Sequence, residues 1–307
     1  MMAHPGRGFV TCPWLRLAAI VSLVGACDSP TRPPDVDLRP IVYFVLEDGW
    51  KLYRVDPSGG TPTPLNLPMS ETLYPAVSPD ASRLAFVVES SPEGIYVSGP
   101  DGSDARLVFP YRTDRITWSP DGTRLAVGFD GEIMVIPIDG GDPYSITEAV
   151  DLFATYPSWS STGRVAFFAR ALTSGTDIYT MAADGSDVRL LVSGNGAEAR
   201  DPAWSPDGSR VAFALGQFGA SFIYTVRADG SDRRRISAEP PPGASWTDLG
   251  PAWSPSGEWI AHQREHDPIC IGMQCTRRWD VFVVRRDGRD ERNLTGGTPW
   301  GGVRPSW

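Results

Sequence analysis

Two histidines lie four residues apart in His262-Gln263-Arg264-Glu265-His266-Asp267. On a helix that spacing brings both imidazoles to one face, where they can hold a metal. Here the segment leaves a strand-like run, Trp259-Ile260-Ala261. In a strand, positions four apart stand ~13 Å from one another. The order also differs from the His-Glu-x-x-His of metal-dependent hydrolysis, so the stretch reads as a polar strand end followed by an insertion. A Gly-x-Ser-x-Gly nucleophile elbow is absent. Lys51 is the single lysine beside 27 arginines, which leaves little scope for lysine chemistry. The Gly-rich turns do not open helices, so they are not phosphate loops. No cofactor and no metal is expected.

A more dispersed set carries more promise. Tyr74, Arg115, Tyr156, Asp201 and Arg304, with Gly250, each stand at the same place in a recurring phrase, yet they are of four types. Asp114, Arg200 and Asp248 lie beside several of them. Charged and aromatic side chains at one variable position suit a polar ligand, a peptide end or a cation. Whether they meet depends on the elements that carry them.

The phrase is a repeat. It runs Tyr74-Pro75-Ala76-Val77-Ser78-Pro79-Asp80, then Ile116-Thr117-Trp118-Ser119-Pro120-Asp121-Gly122, and returns around Trp159, Trp204 and Trp253. The intervals from Val77 through these tryptophans to Trp307 are 41, 41, 45, 49 and 54 residues. Periods of roughly 40–50 with a Trp signature are those of propeller blades. Each unit continues in one order: a tight turn, an apolar run such as Val211-Ala212-Phe213, a second run such as Ile223-Tyr224-Thr225, an Asp-Gly turn, and a short closing strand. The runs are β-branched or aromatic and bounded by turn residues, which predicts strands. They lack clean alternation, as in sheets covered on both faces. Asp-Gly is a hairpin signal, because Gly takes positive φ and Asp bonds the turn backbone. The Asp residues of these turns, Asp121 and Asp207 included, repeat in blade after blade, which argues for a fold role. The tryptophan should pack between blades, where it buries ~150–250 Å².

Five repeats are complete, and a sixth is divided between the ends. Ile41-Val42-Tyr43-Phe44 lacks an opening, and Val303-Arg304-Pro305-Ser306-Trp307 supplies one. The expected fold is all-β: a six-bladed β-propeller of four-stranded antiparallel blades over residues 41–307, closed by pairing the C-terminal strand with the N-terminal blade. In that fold the strand before each tryptophan lines the central channel, which would gather Tyr74, Arg115, Tyr156, Asp201 and Arg304.

The Trp-Ser-Pro-Asp-Gly turns at Trp118–Gly122 and Trp204–Gly208, with their degenerate copies, resemble those of Tol-B-like, WD-repeat-like six-bladed propellers. The resemblance covers about residues 40–307. It implies an envelope setting and protein binding, but the extra α/β domain of that family has no room here, so partners contacted through it do not carry over. Related repeats also occur in peptidase propellers, so the motif speaks for fold more than function.

The first residues read as a leader. Arg7 and Arg16 precede the apolar Leu17–Ala26, too short for a bilayer span. Leu23-Val24-Gly25-Ala26-Cys27 resembles a bacterial lipobox, which implies cleavage of residues 1–26 and lipidation of Cys27, the membrane anchor. Residues 27–40 are Pro-rich and read as a semi-rigid tether. Without Arg7 and Arg16 the chain keeps 26 basic against 37 acidic residues, so a nucleic-acid partner is not expected. Cys270 and Cys275 lie in an insertion, Glu265–Arg278, and in an oxidising compartment would form a disulfide. Leu215–Ser221, Glu239–Trp246 and Arg264–Trp279 are expected as long loops able to carry recognition.

These observations predict a lipid-anchored, periplasm-facing or surface-exposed propeller of the bacterial cell envelope. Its expected work is non-catalytic, presenting loops or the channel mouth to an envelope protein partner. The rival readings are a small-ligand or carbohydrate receptor using the channel, and a lyase- or lactonase-type enzyme. Lactonase-like propellers hold a divalent ion with inward carboxylates and amides, and these inner strands offer few.

Overall fold

The computed structural model describes residues 41–45, 50–148, 150, 152–170, 175–217, 219–242, 244–271, 274–295 and 302–307. The side chains of residues 41–45, 266–271, 274–278 and 302 stand outside that description, as do the leader, Cys27 and the 27–40 tether.

Every regular element among the described residues is a β-strand, and the strands form six four-stranded units. Blade one joins Gly302–Ser306 to Ile41–Val45, Lys51–Val55 and Thr63–Pro64. Blade two holds Thr72–Val77, Leu84–Val88, Gly94–Ser98 and Arg106–Phe109. Blade three holds Ile116–Trp118, Arg124–Phe129, Glu132–Pro137 and Tyr144–Ser145. Blade four holds Ala154–Trp159, Arg164–Arg170, Thr176–Ala182 and Arg189–Val192. Blade five holds Glu198–Trp204, Arg210–Gln217, Ala220–Arg227 and Arg234–Arg235. Blade six holds Thr247–Trp253, Trp259–Ile271, Gln274–Arg285 and Arg292–Asn293. The first strand of each blade packs on that of the next, and blade six returns to blade one, so the ring closes. The molecule is a six-bladed β-propeller shut by the pairing of Gly302–Ser306 with Ile41–Val45.

The repeat motif explains the two turns of blades two to six. Ser119 Oγ donates to Asp121 Oδ1 at 2.6 Å and accepts from Arg124 N–H at 3.0 Å, while Asp121 also accepts from Thr123 N–H at 3.0 Å. Ser205, Asp207 and Ser209 repeat this set, as do Ser78, Asp80 and Ser82. These bonds hold the Asp121 carboxyl well below its usual range, Ser119 first. In blades four and six, hydroxyl pairs replace the carboxylate: Ser160 with Thr162 at 2.9 Å and Ser254 with Ser256 at 3.0 Å. At the second turn, Asp184 Oδ1 accepts from Ser186 N–H at 3.0 Å and Gly185 takes φ 84°.

Two kinds of stitch hold neighbouring blades together. At two junctions an indole N–H reaches the carbonyl of the alanine that precedes the Trp position of the earlier blade: Trp118 to Ala76 at 2.9 Å, Trp253 to Ala203 at 3.0 Å. Where a hydroxyl residue stands there, it accepts from a backbone N–H instead. Trp159 donates to Thr117 Oγ1 at 3.1 Å, Trp204 to Ser158 Oγ at 3.0 Å, and Val77 to Ser306 Oγ at 3.3 Å. The last of these ties the closing strand to blade two.

Between the blades lies an apolar core in which Phe86, Phe167 and Phe213 are fully buried. Each stacks on a tyrosine of the next strand, Tyr96, Tyr179 or Tyr224, at 5.8–6.0 Å between centroids.

Two expected loops are ladders instead. Leu215–Ser221 is the end of a hairpin, with Gln217 opposite Ala220. Arg264–Trp279 continues two strands, Trp259–Ile271 and Gln274–Arg285, as one long hairpin. The insertion extends a strand pair that already exists, so its backbone groups find partners by continuing the ladder. Glu239–Trp246 is irregular, as expected.

Candidate functional site

Five of the six inner strands share a local distortion. Tyr74, Tyr156, Asp201, Gly250 and Arg304 take φ between 51° and 61°, and each is followed by proline. The ladder slips at each of these pairs. Proline cannot donate to the ladder, so the pair bulges and turns the preceding side chain toward the axis. For the non-glycine residues this left-handed backbone carries a cost of order 1–3 kcal/mol each. Blade three differs: Arg115 precedes Ile116, and that ladder has no slip.

The five bulged positions and Arg115 meet in one polar chamber of about 150 Å³, bounded by Tyr74, Arg115, Tyr156, Asp201, Gly250 and Arg304. The Arg304 guanidinium lies 3.7 Å over the Tyr74 ring, a cation–π contact. The Tyr74 and Tyr156 hydroxyls approach to 3.5 Å, with rings edge to face. Asp201 is buried and accepts from Gly250 N–H at 2.9 Å. Gln263 Oε1 accepts from Arg304 N–H at 2.6 Å. Arg115 reaches across the ring and donates to the Pro251 carbonyl of blade six at 2.8 Å.

The electrostatics suit holding rather than proton transfer. Burial, with Tyr74 and Asp201 nearby, pushes the Tyr156 hydroxyl far above its usual range, so it stays protonated. Burial lowers the Arg115 pKa, opposed by the Asp201 carboxylate, yet a guanidinium stays charged. Asp114 lies beside the chamber, bonded to the Thr155 hydroxyl, and burial raises its pKa. Arg200 is paired with Glu198.

On the far side of Arg115 lies a larger cavity of about 510 Å³, open at the face of the Ser-Pro turns. Pro75, Arg115 and Pro305 bound both spaces.

A second concentration of charge sits in blade six, around the segment whose sequence suggests only a polar strand end. Asp248, His262 and Arg264 are all buried. Arg264 donates to Asp248 at 2.6 and 3.0 Å and to Glu291 twice at 2.9 Å. Its guanidinium is held between the rings of Trp246 at 4.2 Å and Phe282 at 4.4 Å. His262 Nε2 lies 3.3 Å from Glu291 Oε1. Burial raises the Glu291 pKa, but bonds from His262 and Arg264 outweigh it and hold the carboxyl down to about 2. His262 is thus a fully enclosed residue rather than a polar strand end. A signal was present: aligned on the repeat, His262 replaces Phe86, Phe167 and Phe213, and stacks on Phe282 at 5.7 Å as they stack on tyrosine. Arg264 and Asp248 likewise replace Ala169 and Ala154.

Among the described residues no three His, Cys, Asp or Glu side chains converge as metal ligands. The His266 and Asp267 side chains, and the sulfurs of Cys270 and Cys275, lie outside the described part, although the backbone sets Cys270 opposite Cys275 in the ladder.

Among solved structures, TolB from Acinetobacter baumannii is similar at 19% identity and TM-score 0.66, over 87% of this chain and 66% of its own. The putative TolB from Agrobacterium tumefaciens is similar at 22% identity and TM-score 0.59, over 83% of this chain and 87% of its own. An oligogalacturonate lyase from Vibrio parahaemolyticus follows at 14% identity and TM-score 0.51, over 82% of this chain and 71% of its own. At such identities the likeness shows the shared propeller fold. The chain spans about two thirds of the A. baumannii protein. No protein-family model matches the sequence, and no curated protein does.

Proposed function

We propose that this protein is a non-catalytic binding module of the bacterial envelope, lipid-anchored through Cys27, that presents one face of a rigid ring to a protein partner. The observation that carries this reading is the blade-six hairpin. Its strands run 13 and 12 residues, against 5 to 8 for the equivalent pairs of blades one to five. Thr247, where the inner strand starts, pairs with Glu265, and the hairpin continues beyond that level. The starts of the inner strands also border the polar chamber, so arm and chamber share a face. Arg264, clamped by Asp248, Glu291 and two rings, fixes the arm at its base. An arm set before binding loses little conformational entropy on contact.

The chamber supports the same reading. Its carboxylate, Asp201, is bonded to Gly250 N–H, and Tyr156 is held protonated, so neither is poised as a general base. The envelope setting rests on the leader and the lipobox-like Leu23–Cys27, and the likeness to TolB propellers agrees with a binding role.

The test is a crosslinking pull-down of the lipidated protein from its own envelope, read by mass spectrometry. Beside it runs a ring in which residues 266–278 are replaced by Asn-Gly, joining Glu265 to its ladder partner Trp279. One dominant envelope protein, captured by the full chain and by Asp201→Ala but lost from the shortened ring, is expected. Equal capture by the shortened ring, with loss in Asp201→Ala, would overturn the reading.

A further inference from the structure

The larger cavity is built mainly from residues whose repetition marks them as structural, yet its charge is not what the chain as a whole would suggest. Among the described residues its lining includes Arg54, Arg83 and Arg115 and no Asp, Glu or Lys, in a chain of net charge −9. Most of the wall is proline, tryptophan, alanine and serine of the inner strands and their turns. Elsewhere arginines are mostly spoken for: Arg112, Arg164, Arg210, Arg264 and Arg285 all sit in ion pairs. Among the described residues none of Arg54, Arg83 and Arg115 does. Arg54 and Arg83 are exposed at the mouth, whereas Arg115 is half-buried at the floor. The acid nearest in influence to Arg115, Asp201, is bonded to Gly250 N–H on the chamber side. The hydrogen bond to Pro251 leaves most of the Arg115 donors uncommitted.

We propose that this cavity binds an organic anion: an apolar body against the indole and proline walls, with a carboxylate or phosphate head on Arg115. A volume of about 510 Å³ is that of a small-molecule site. A half-buried guanidinium without an ion pair is costly to leave against an apolar wall, and an anionic head supplies the opposite charge. Arg54 and Arg83 would draw the anion to the mouth, a longer-range effect that salt weakens. The site lies on the face opposite the hairpin and stands whether or not the partner reading holds.

The experiment is calorimetric titration of the full chain with 1-naphthylacetate, 1-naphthyl phosphate and the neutral 1-naphthylacetamide. At least one anion is expected to bind tenfold or more tightly than the amide, and the tighter of the two identifies the head group. Arg115→Met should weaken that anion at least tenfold while the amide is unaffected. The exposed pair Arg54→Gln/Arg83→Gln should weaken it about threefold and flatten its salt dependence. The proposal fails if the amide binds as well as both anions, if nothing binds up to millimolar concentration, or if folded Arg115→Met binds like the parent. Should Arg115→Met not fold, the anion-to-amide ratio and the Arg54→Gln/Arg83→Gln variant decide the matter.

Discussion

Arg115 and Pro251 belong to opposite blades, three and six, and are joined through the middle of the ring by a 2.8 Å hydrogen bond. Two departures from the repeat allow it. Arg115 is the one inner-strand position of the six not followed by proline, and Gly250 is the one without a side chain. The long side chain therefore crosses into space that the opposite blade leaves open. A Cβ on Gly250 would meet nothing nearer than Gln263, at 3.8 Å.

An Arg115 that serves an anion site rather than the fold fixes a first outcome. Arg115→Met removes a desolvated charge and one hydrogen bond, and those two effects oppose each other. Thermal unfolding should shift by no more than about 4 °C, the scale of ~1 kcal/mol for a domain of this size. A fall of ~10 °C or more would make Arg115 a bolt that holds the ring together.

Asp201 should behave differently. Its carboxylate accepts from Gly250 N–H at 2.9 Å inside the ring. Asp201→Ala strands that buried donor, at a cost of about 1–3 kcal/mol, while Asp201→Asn keeps an acceptor. Urea unfolding of the two variants should separate them by that amount with unchanged m-values. Equal loss in both would place the importance in the negative charge facing Arg115.

How much of this was legible in the sequence depends on whether a feature repeats. The Trp-Ser-Pro-Asp-Gly phrase marks turns, the Ser119–Asp121–Thr123 bonds show why, and the ring follows from counting. The six variable positions could be located because each stands at one place in the strand before the Trp position, although the bulge that shapes five of them was not foreseen. The Arg115 crossing could not, since it depends on a gap in a blade 136 residues away. The Asp248–His262–Arg264–Glu291 cluster was missed because its charges were read along the chain as a polar strand end. Read down the repeat, His262 and Arg264 stand at positions that are apolar in blades two to five. The hairpin was missed because an insertion in a repeat reads as a loop, and ladder continuity overrides that local preference.

The blade-six cluster predicts acid sensitivity with a definite sign. Glu291 has a folded pKa of about 2, against 4.5 for the free group. A depressed carboxyl contributes stability that is fully present above the unfolded value and is lost as pH falls through the folded one. The window is therefore from pH 4.5 down to about 2, and the contribution is at most of order 3 kcal/mol. Glu291→Gln should be less stable at pH 7 and show a shallower stability–pH slope below pH 4.5, measured by urea unfolding across pH. An unchanged slope would mean that Glu291 titrates normally.

Blade spacing gives another outcome. Gly185 has φ 84°, and a Cβ there would overlap the Ile146 carbonyl oxygen of blade three. Backbone cannot give way as a side chain does. Gly185→Ala should therefore cost more than the ~1 kcal/mol of an unfavourable φ alone. Gly163→Ala, at φ 83° with open space around it, isolates the conformational part. Denaturant midpoints of the pair should place Gly185→Ala clearly lower, and equal midpoints would show that the blades can move apart.

The last outcome concerns the tip of the arm. The ladder sets Cys270 directly opposite Cys275, and Ile271 opposite Gln274 closes the turn. Directly opposed antiparallel positions have Cα atoms ~4.5–5.5 Å apart, within disulfide range. In the oxidised protein both thiols should resist alkylation until a reductant is added. The bond would close only a short loop at a hairpin end, so it constrains little of the unfolded chain. Reduction should therefore leave the melting temperature of the ring within about 2 °C. It should also speed proteolysis near residues 266–278, because the tip then opens independently of the core. Rapid alkylation of both cysteines in protein isolated from an oxidising compartment would show that the arm is held by its ladder and the Arg264 clamp alone.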